Sequence, residues 1–247
     1  MIQSIIFGAL QGITELLPIS STGHLILLGE QIQSDANLLT VTFVHLASAF
    51  ALLILYAKEI IGLIKNKNKD YFINIIIASI PVMLIGVLIG DYIDSVLYDP
   101  IYIALSLVIW GIIMIFVEKK YTTPKKEHLD RKGAGLVGLF QIFALIPGTS
   151  RSGSTTVAGV IGGVSKVEAL AFTFIMGIML LFGSSGFVLL KEREVIFEGG
   201  GLDMIAFVSA FFFSLMAGYL LKSISKKNFL TFLGVYRIVL GVVVLVI

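Results

Sequence analysis

The stretch LQGITELLPISSTGH, residues 10–24, sets a carboxylate, a run of hydroxyls and an imidazole between two apolar runs, with a proline at its centre. A related stretch, FQIFALIPGTSRSG, residues 140–153, recurs in the second half of the chain. The surroundings decide how both are read. Mean hydropathy is +1.00; 57% of the 247 residues are hydrophobic and only 14% are charged. A soluble domain carries about a quarter charged residues, so this chain belongs in a bilayer, with acyl chains solvating its apolar surface. It has no cysteine, which excludes disulfides, thiolate metal sites and cysteine nucleophiles. A net charge of +2 is too small to imply a nucleic-acid partner. No Lys or Arg precedes the first apolar run and Glu15 interrupts it, so the N-terminus reads as mature structure and not as a cleaved leader.

A membrane-crossing helix needs about 20 mostly apolar residues. The pattern predicts such helices over 38–57, 71–89, 101–117, 168–190, 203–221 and 228–247. Residues 1–29 and 133–163 differ, because Pro and a Ser/Thr/Gly cluster break each in the middle. The halves are too short to cross alone. Broken segments of this kind read as re-entrant hairpins, tolerated at depth only when buried in protein or lining a polar cavity.

The two halves also echo each other at an offset of about 130. Gln11 pairs with Gln141, Pro18 with Pro147, Ser21 with Ser150, Gly23 with Gly153, Thr42-Phe43 with Thr173-Phe174, and Gly111 with Gly241. The expected fold is one all-α integral membrane domain, 1–247, built from two repeats, about 1–120 and 133–247. Each repeat is a re-entrant helical hairpin plus three transmembrane helices. Three is odd, so the second copy is inverted. Loop charge agrees: 58–70, 118–132 and 222–227 are basic, whereas 91–100 and 191–202 are acidic. Basic loops lie inside, which puts both termini outside and lets the two hairpin tips meet near the midplane, as in many transporters.

At each tip a proline ends one half-helix and hydroxyls cap the next. Ser20, Ser21, Thr22 and Gly23 form the first start; Thr149, Ser150, Ser152 and Gly153 flank Arg151 in the second. Helix N-termini suit phosphate, and Arg151 adds a donor fork. Together they describe an anion pocket inside the bilayer. Glu15, with Gln11 one turn earlier on the same face, either holds a divalent cation or acts as a general base. His24 is a candidate nucleophile or proton donor, and Ser21 a candidate nucleophile or phosphate ligand. Ser/Thr/Gly after Pro is ordinary helix-start chemistry, but a charge at mid-membrane costs about 2.5–3.5 kcal/mol and is functional by default. A structural Glu15–Arg151 ion pair is the bland alternative. His45 is either a helix–helix hydrogen bond or a support for the site. Arg237 is a partner of Glu15 or of substrate, or a clamp on backbone carbonyls. Lys166 and Glu168 read as a snorkelling pair, His128 as a solvated loop residue, and Phe211–Phe213 as lipid contact.

QGITELLPISSTGHL and PGTSRSGSTTVAG resemble the two signature motifs of the undecaprenyl-diphosphate phosphatase family, the membrane enzymes linked to bacitracin resistance. FVHLASAFALLILY and YRIVLG are similar to it as well, so the resemblance covers essentially the whole chain. It implies hydrolysis of a C55 polyprenyl diphosphate to the monophosphate, recycling the lipid carrier of cell-wall polymers at the cell membrane. It implies that Gln11 and Glu15 stand where the family has a Glu-or-Gln and, four residues later, a Glu, near a divalent cation expected to be Mg²⁺. The amide at Gln11 leaves that cation one anionic ligand fewer. By the same resemblance Ser21 and His24 are the nucleophile candidates, Ser20 and Thr22 bind phosphate, and Ser150 and Arg151 bind the diphosphate. The expected partners are the prenyl lipid and the membrane, with a homodimer as the candidate assembly and a site opening to the outer face.

A carrier that moves a phosphorylated prenyl lipid through the same anion site is the alternative function; Glu15, Ser21 and His24 beside Arg151 favour the enzyme. The phosphatidate-phosphatase type is discounted: counted from Ser150-Arg151, the place where that pattern needs His is Val157.

Overall fold

The protein is described here by a computed structural model covering residues 1–32, 38–197 and 203–246. Among the described residues the regular elements are all helices, with one isolated bridge, Lys126 to Val164, and no strand. Six helices are long and apolar enough to cross a bilayer: α3 (Leu38–Leu55), α5 (Lys69–Leu97, of which 69–90 forms the apolar span), α6 (Pro100–Lys120), α9 (Lys166–Lys191), α11 (Met204–Ile224) and α12 (Phe229–Val246). They match the six expected spans and make this a multi-pass integral membrane protein. The expected last residue, Ile247, and part of the 191–202 loop lie outside the described residues.

Helix ends follow local chemistry. The Asp99, Asp130, Ser165 and Asp203 side chains accept from backbone N–H groups of the helices that follow them, and Pro100 takes the first position of α6. Asp203, expected inside the fifth span, is therefore its cap. Short helices α4 (Ala57–Lys65) and α10 (Arg193–Phe197) follow α3 and α9.

The two interrupted segments are helix pairs: α1 (Ile2–Leu16) with α2 (Ser21–Ile32), and α7 (Arg131–Ile142) with α8 (Arg151–Ile161). A 3₁₀ turn, Phe143–Leu145, extends the second break. At about 1.5 Å per residue even α1, with 15 residues, falls short of the ~30 Å hydrocarbon core. Helix α1 packs on α11, α7 on α5, α6 on α12, and α3 on both α9 and α11. Helix α8 is buried from Ser152 to Val160. Its hydroxyls are satisfied locally or by α9: Thr155 and Thr156 lie 3.0 and 3.4 Å from the Thr173 hydroxyl.

The paired turns correct the register read from sequence. Ser20 and Ser150 both have left-handed φ, 77° and 71°, and their hydroxyls accept from the N–H of Gly23 and Gly153 at 3.2 and 3.1 Å. Ser20, not Ser21, is the counterpart of Ser150, and Pro18 answers to Gly148. Ser21 therefore matches Arg151.

Two surface readings also change. Lys166 does not pair with Glu168: it donates to buried Glu118 at 2.6 Å and to the Lys227 carbonyl at 2.7 Å. The other Glu118 oxygen accepts from Thr231 N–H at 2.6 Å, tying together ends of α6, α9 and α12. Glu168 instead accepts from His128 at 2.8 Å; that loop histidine is exposed, as expected, and has this partner as well. Of the three phenylalanines, Phe212 is exposed, whereas Phe211 packs on the small cluster around Phe7 and Val44.

Candidate active site

Both turns open on a cavity of about 370 Å³, walled also by the start of α3 and the end of α9. Glu15, one residue from the end of α1, is buried there and accepts from three groups. The Arg151 guanidinium donates to Oε1 at 2.6 Å, the Ser21 hydroxyl to Oε2 at 2.7 Å, and Gln11 Nε2 to Oε2 at 3.3 Å. The bland and the functional readings of Glu15–Arg151 thus coexist: they form an ion pair at the cavity wall. An ion pair here is worth far more intact than broken, because a lone buried charge is costly.

The two histidines of interest take opposite positions. His24 is buried and does not line the cavity: its Nδ1–H donates to the Ser20 carbonyl at 2.7 Å and Nε2 accepts from the Tyr236 hydroxyl at 2.8 Å. Both ring nitrogens are used. His45 lines the cavity; its Nδ1–H donates to the Val41 carbonyl at 2.8 Å, which turns Nε2 toward Glu15 Oε2, 3.7 Å away. A residue read as a support in sequence is the imidazole facing the polar space.

Ser20, Ser21, Thr22, Ser150, Arg151 and Ser152 also line the cavity. Thr149 lies behind the wall, 3.0 Å from the Ser106 hydroxyl, and Gly23 and Gly153 contribute N–H groups to the serine caps. Gln11 is buried beneath Glu15.

Arg237, fully buried in α12, has no carboxylate within ion-pairing reach among the described residues. It donates to the Pro18 carbonyl at 3.0 Å and to the Gly148 and Thr149 carbonyls at 2.6 and 2.8 Å. Of its sequence alternatives, the carbonyl clamp is the one observed, and it joins the two turns. Its charge sits where each turn leaves carbonyls without helical partners.

Sequence reasoning missed several cavity residues. Thr14, Thr42, Ser184 and Ser185 line it, and Ser185 donates to the Thr42 carbonyl at 3.3 Å. The polar interruption GSSG, residues 183–186, was the available signal. Gly177 was invisible to it: the Arg151 guanidinium lies against this glycine, with Nη1 in the space a Cβ would need.

The expected divalent cation fits these residues poorly. The described residues hold no group of three His, Cys, Asp or Glu placed for a metal ion. Only one carboxylate is present and Arg151 already neutralises it, while Gln11 turns its amide N–H₂ toward it.

A profile of the family described as "Bacitracin resistance protein BacA" matches residues 4–243. Proteins named undecaprenyl-diphosphatase are similar along their length. The one from Acinetobacter baumannii strain ATCC 17978 is 37% identical over 258 residues, covering 100% of this chain and 95% of the relative. That of Clostridium tetani is 36% identical, covering 100% and 96%, and that of Neisseria meningitidis serogroup C is 33% identical, covering 100% and 94%. A match from one end of the helical bundle to the other, through both turns of the cavity, puts the chain in the BacA bacitracin resistance family.

Proposed function

We propose that this protein hydrolyses undecaprenyl diphosphate to the monophosphate and phosphate, with Ser21 as nucleophile. The observation that carries the reading is the 2.7 Å hydrogen bond from the Ser21 hydroxyl to Glu15, on the wall of a cavity that also presents Arg151. A serine needs an adjacent base to attack phosphorus at neutral pH; a carrier needs only the anion site.

In the first step Ser21 Oγ bonds to the terminal phosphorus and its proton passes to Glu15. The anhydride P–O bond breaks, and undecaprenyl phosphate leaves with the electron pair. In the second step a water attacks the phosphoserine, giving its proton to His45 Nε2, while Glu15 returns to Ser21 Oγ the proton it took in the first step. The P–Oγ bond breaks, Ser21 recovers a proton, and phosphate departs. Arg151 and the N–H groups at the starts of α2 and α8 offset the charge spread over the transferring phosphoryl group. Ser20, Ser150 and Ser152 orient the diphosphate. No step here runs through a resident cation. Any Mg²⁺ requirement is read as belonging to the metal–diphosphate substrate.

We also read α1/α2 and α7/α8 as re-entrant hairpins of two inverted repeats. Helix α1 packs on the second span of the other half, and α7 does the same in return. In the α6–α12 crossing, Gly111 meets the Gly234 carbonyl and Gly241 meets the Ala104 carbonyl, each 2.6–2.7 Å from where a Cβ would stand. Exchanging the halves at an offset of 130 turns one contact into the other. With basic loops inside, both termini and the cavity mouth face outward at the plasma membrane.

The test is phosphate release from undecaprenyl diphosphate by purified protein. Release supports the reading; absence of release, with lipid translocation in vesicles, overturns it in favour of a carrier. Mass photometry of the same sample reads the expected homodimer.

A further inference from the structure

The helix faces that wall the polar cavity continue into a second, apolar recess. On α9, Ile178, Leu181, Ser185 and Val188 follow at three- or four-residue steps and so share one face. The last three line the polar cavity, and Ile178 lines the recess. On α3, Thr42 and His45 line the cavity and Leu53 the recess; positions 42 and 53 are about three turns apart and face the same way. The recess, about 260 Å³, is bounded by Leu53, Ile60, Phe72, Ile76, Ile178 and Met179 among others, none of them polar. At about 1.5 Å per residue, Ile178 lies roughly 10 Å along α9 from Ser185.

Helix α5 edges the recess, and the residue after its end reaches the cavity. Tyr98, just past its end, lines the cavity, and Phe72 and Ile76, near its start, line the recess. Helix α5 touches α9 only sparsely. Gly86 of α5 faces Leu145 of the cavity wall, and Met83, Leu84, Val87 and Leu88 are exposed. The cavity is itself divided: its charged and hydroxyl groups come mainly from the α1–α2 and α7–α8 turns, while its apolar lining, Leu145, Ile146, Leu181 and Val188, lies toward α5 and α9.

We propose that the groove between α5 and α9, ending in this recess, seats the isoprenoid chain of the substrate. The proposal rests on the phosphatase reading of the cavity. A molecule with a charged head and an apolar chain must satisfy both at once. Here a polar pocket and an aliphatic recess are joined by one continuous helix face, and the apolar wall of the pocket is the side on which they join. The first isoprene units span the α5–α9 groove, and the next ones occupy the recess. The branched aliphatic side chains there offer dispersion contact to a methyl-branched chain and nothing to a polar group.

The test is photo-labelling of the wild-type protein in nanodiscs. The probe is a polyprenyl diphosphate with a diazirine on its third isoprene unit, and labelled residues are mapped by mass spectrometry. The expected result is labelling focused on Ile76, Ile178 and Met179 and suppressed by excess unlabelled undecaprenyl diphosphate. Ile178→Trp, which fills the recess, then raises KM for the C55 substrate about ten-fold with kcat retained. Label spread equally over Phe212 and Tyr219 on the lipid face of α11, or unmoved by competitor, overturns the groove. Phosphate release from the same sample separates the two claims. Hydrolysis with unfocused label overturns the groove alone; no hydrolysis overturns the reading on which it stands.

Discussion

The Ser21 hydroxyl donates to Glu15 Oε2 at 2.7 Å while Arg151 holds the other oxygen of the same carboxylate at 2.6 Å. One carboxylate thus links the candidate nucleophile of the first turn to the candidate phosphate clamp of the second. Arg151 is already in place and Glu15 already holds Ser21. In the proposed mechanism the pair divides the work between the two turns: deprotonation from one, charge stabilisation from the other.

Both ring nitrogens of His24 are engaged, so the proposed mechanism gives it a positioning role and leaves the attack to Ser21. His24→Gln and Tyr236→Phe should therefore lower kcat by similar, modest factors, about ten-fold. The double variant should be little worse than either single one, since both break the same contact. A nucleophilic His24 would instead make His24→Gln inactive and leave Tyr236→Phe near wild type. Steady-state kinetics of the three variants decide between these patterns.

His45 presents Nε2 to the cavity, 3.7 Å from Glu15. His45→Gln keeps a polar group of similar reach but no proton-transfer nitrogen. It should lower kcat by about 10²-fold with KM nearly unchanged, within the range for loss of one acid–base group. An unchanged kcat would remove His45 from the proton path.

Arg237 holds the Pro18, Gly148 and Thr149 carbonyls together. Arg237→Met leaves three buried carbonyls without that donor, at about 1–3 kcal/mol each. Thermal unfolding in detergent should occur at a markedly lower temperature, and activity should fall with it. Arg237→Lys, which reaches fewer of the three, should lie between. If Arg237→Met unfolds like wild type yet is inactive, Arg237 touches substrate and is no clamp.

Gly177→Ala puts a methyl group into the space of the Arg151 guanidinium. Displacing the guanidinium should cost about 10²–10³-fold in kcat/KM, the scale for one oxyanion donor. Thermal stability should change much less, because α9 gains helix propensity at this position. Wild-type kinetics in Gly177→Ala would show that the Arg151 position is not critical.

The six spans were legible because apolar length is a strong signal and the caps that end them are short-range. The broken segments were legible for the same reason: Pro18 and Pro147 interrupt runs that nothing else explains. Register within the turns was not. Pro18 and Pro147 align in the sequence by residue identity, but the left-handed serines Ser20 and Ser150 set the true correspondence, and φ is not written in residue type. The orientation of the histidines was hidden too. His24 is turned away by Tyr236, 212 positions distant, and no local pattern predicts such a partner. Ion pairs at the membrane edge failed on the same ground. Lys166 finds Glu118 across 48 positions rather than Glu168 on its own helix.

The most direct measurement concerns the covalent intermediate. Protein mixed with undecaprenyl diphosphate, radiolabelled in its terminal phosphate, is quenched within one turnover and digested, and the label is located by mass spectrometry under conditions that preserve both phosphoserine and phosphohistidine. The account predicts phosphate on Ser21, lost in Ser21→Ala and slow to form in Glu15→Gln. Phosphate on His24, or turnover with no phosphorylated protein at any time, would contradict it.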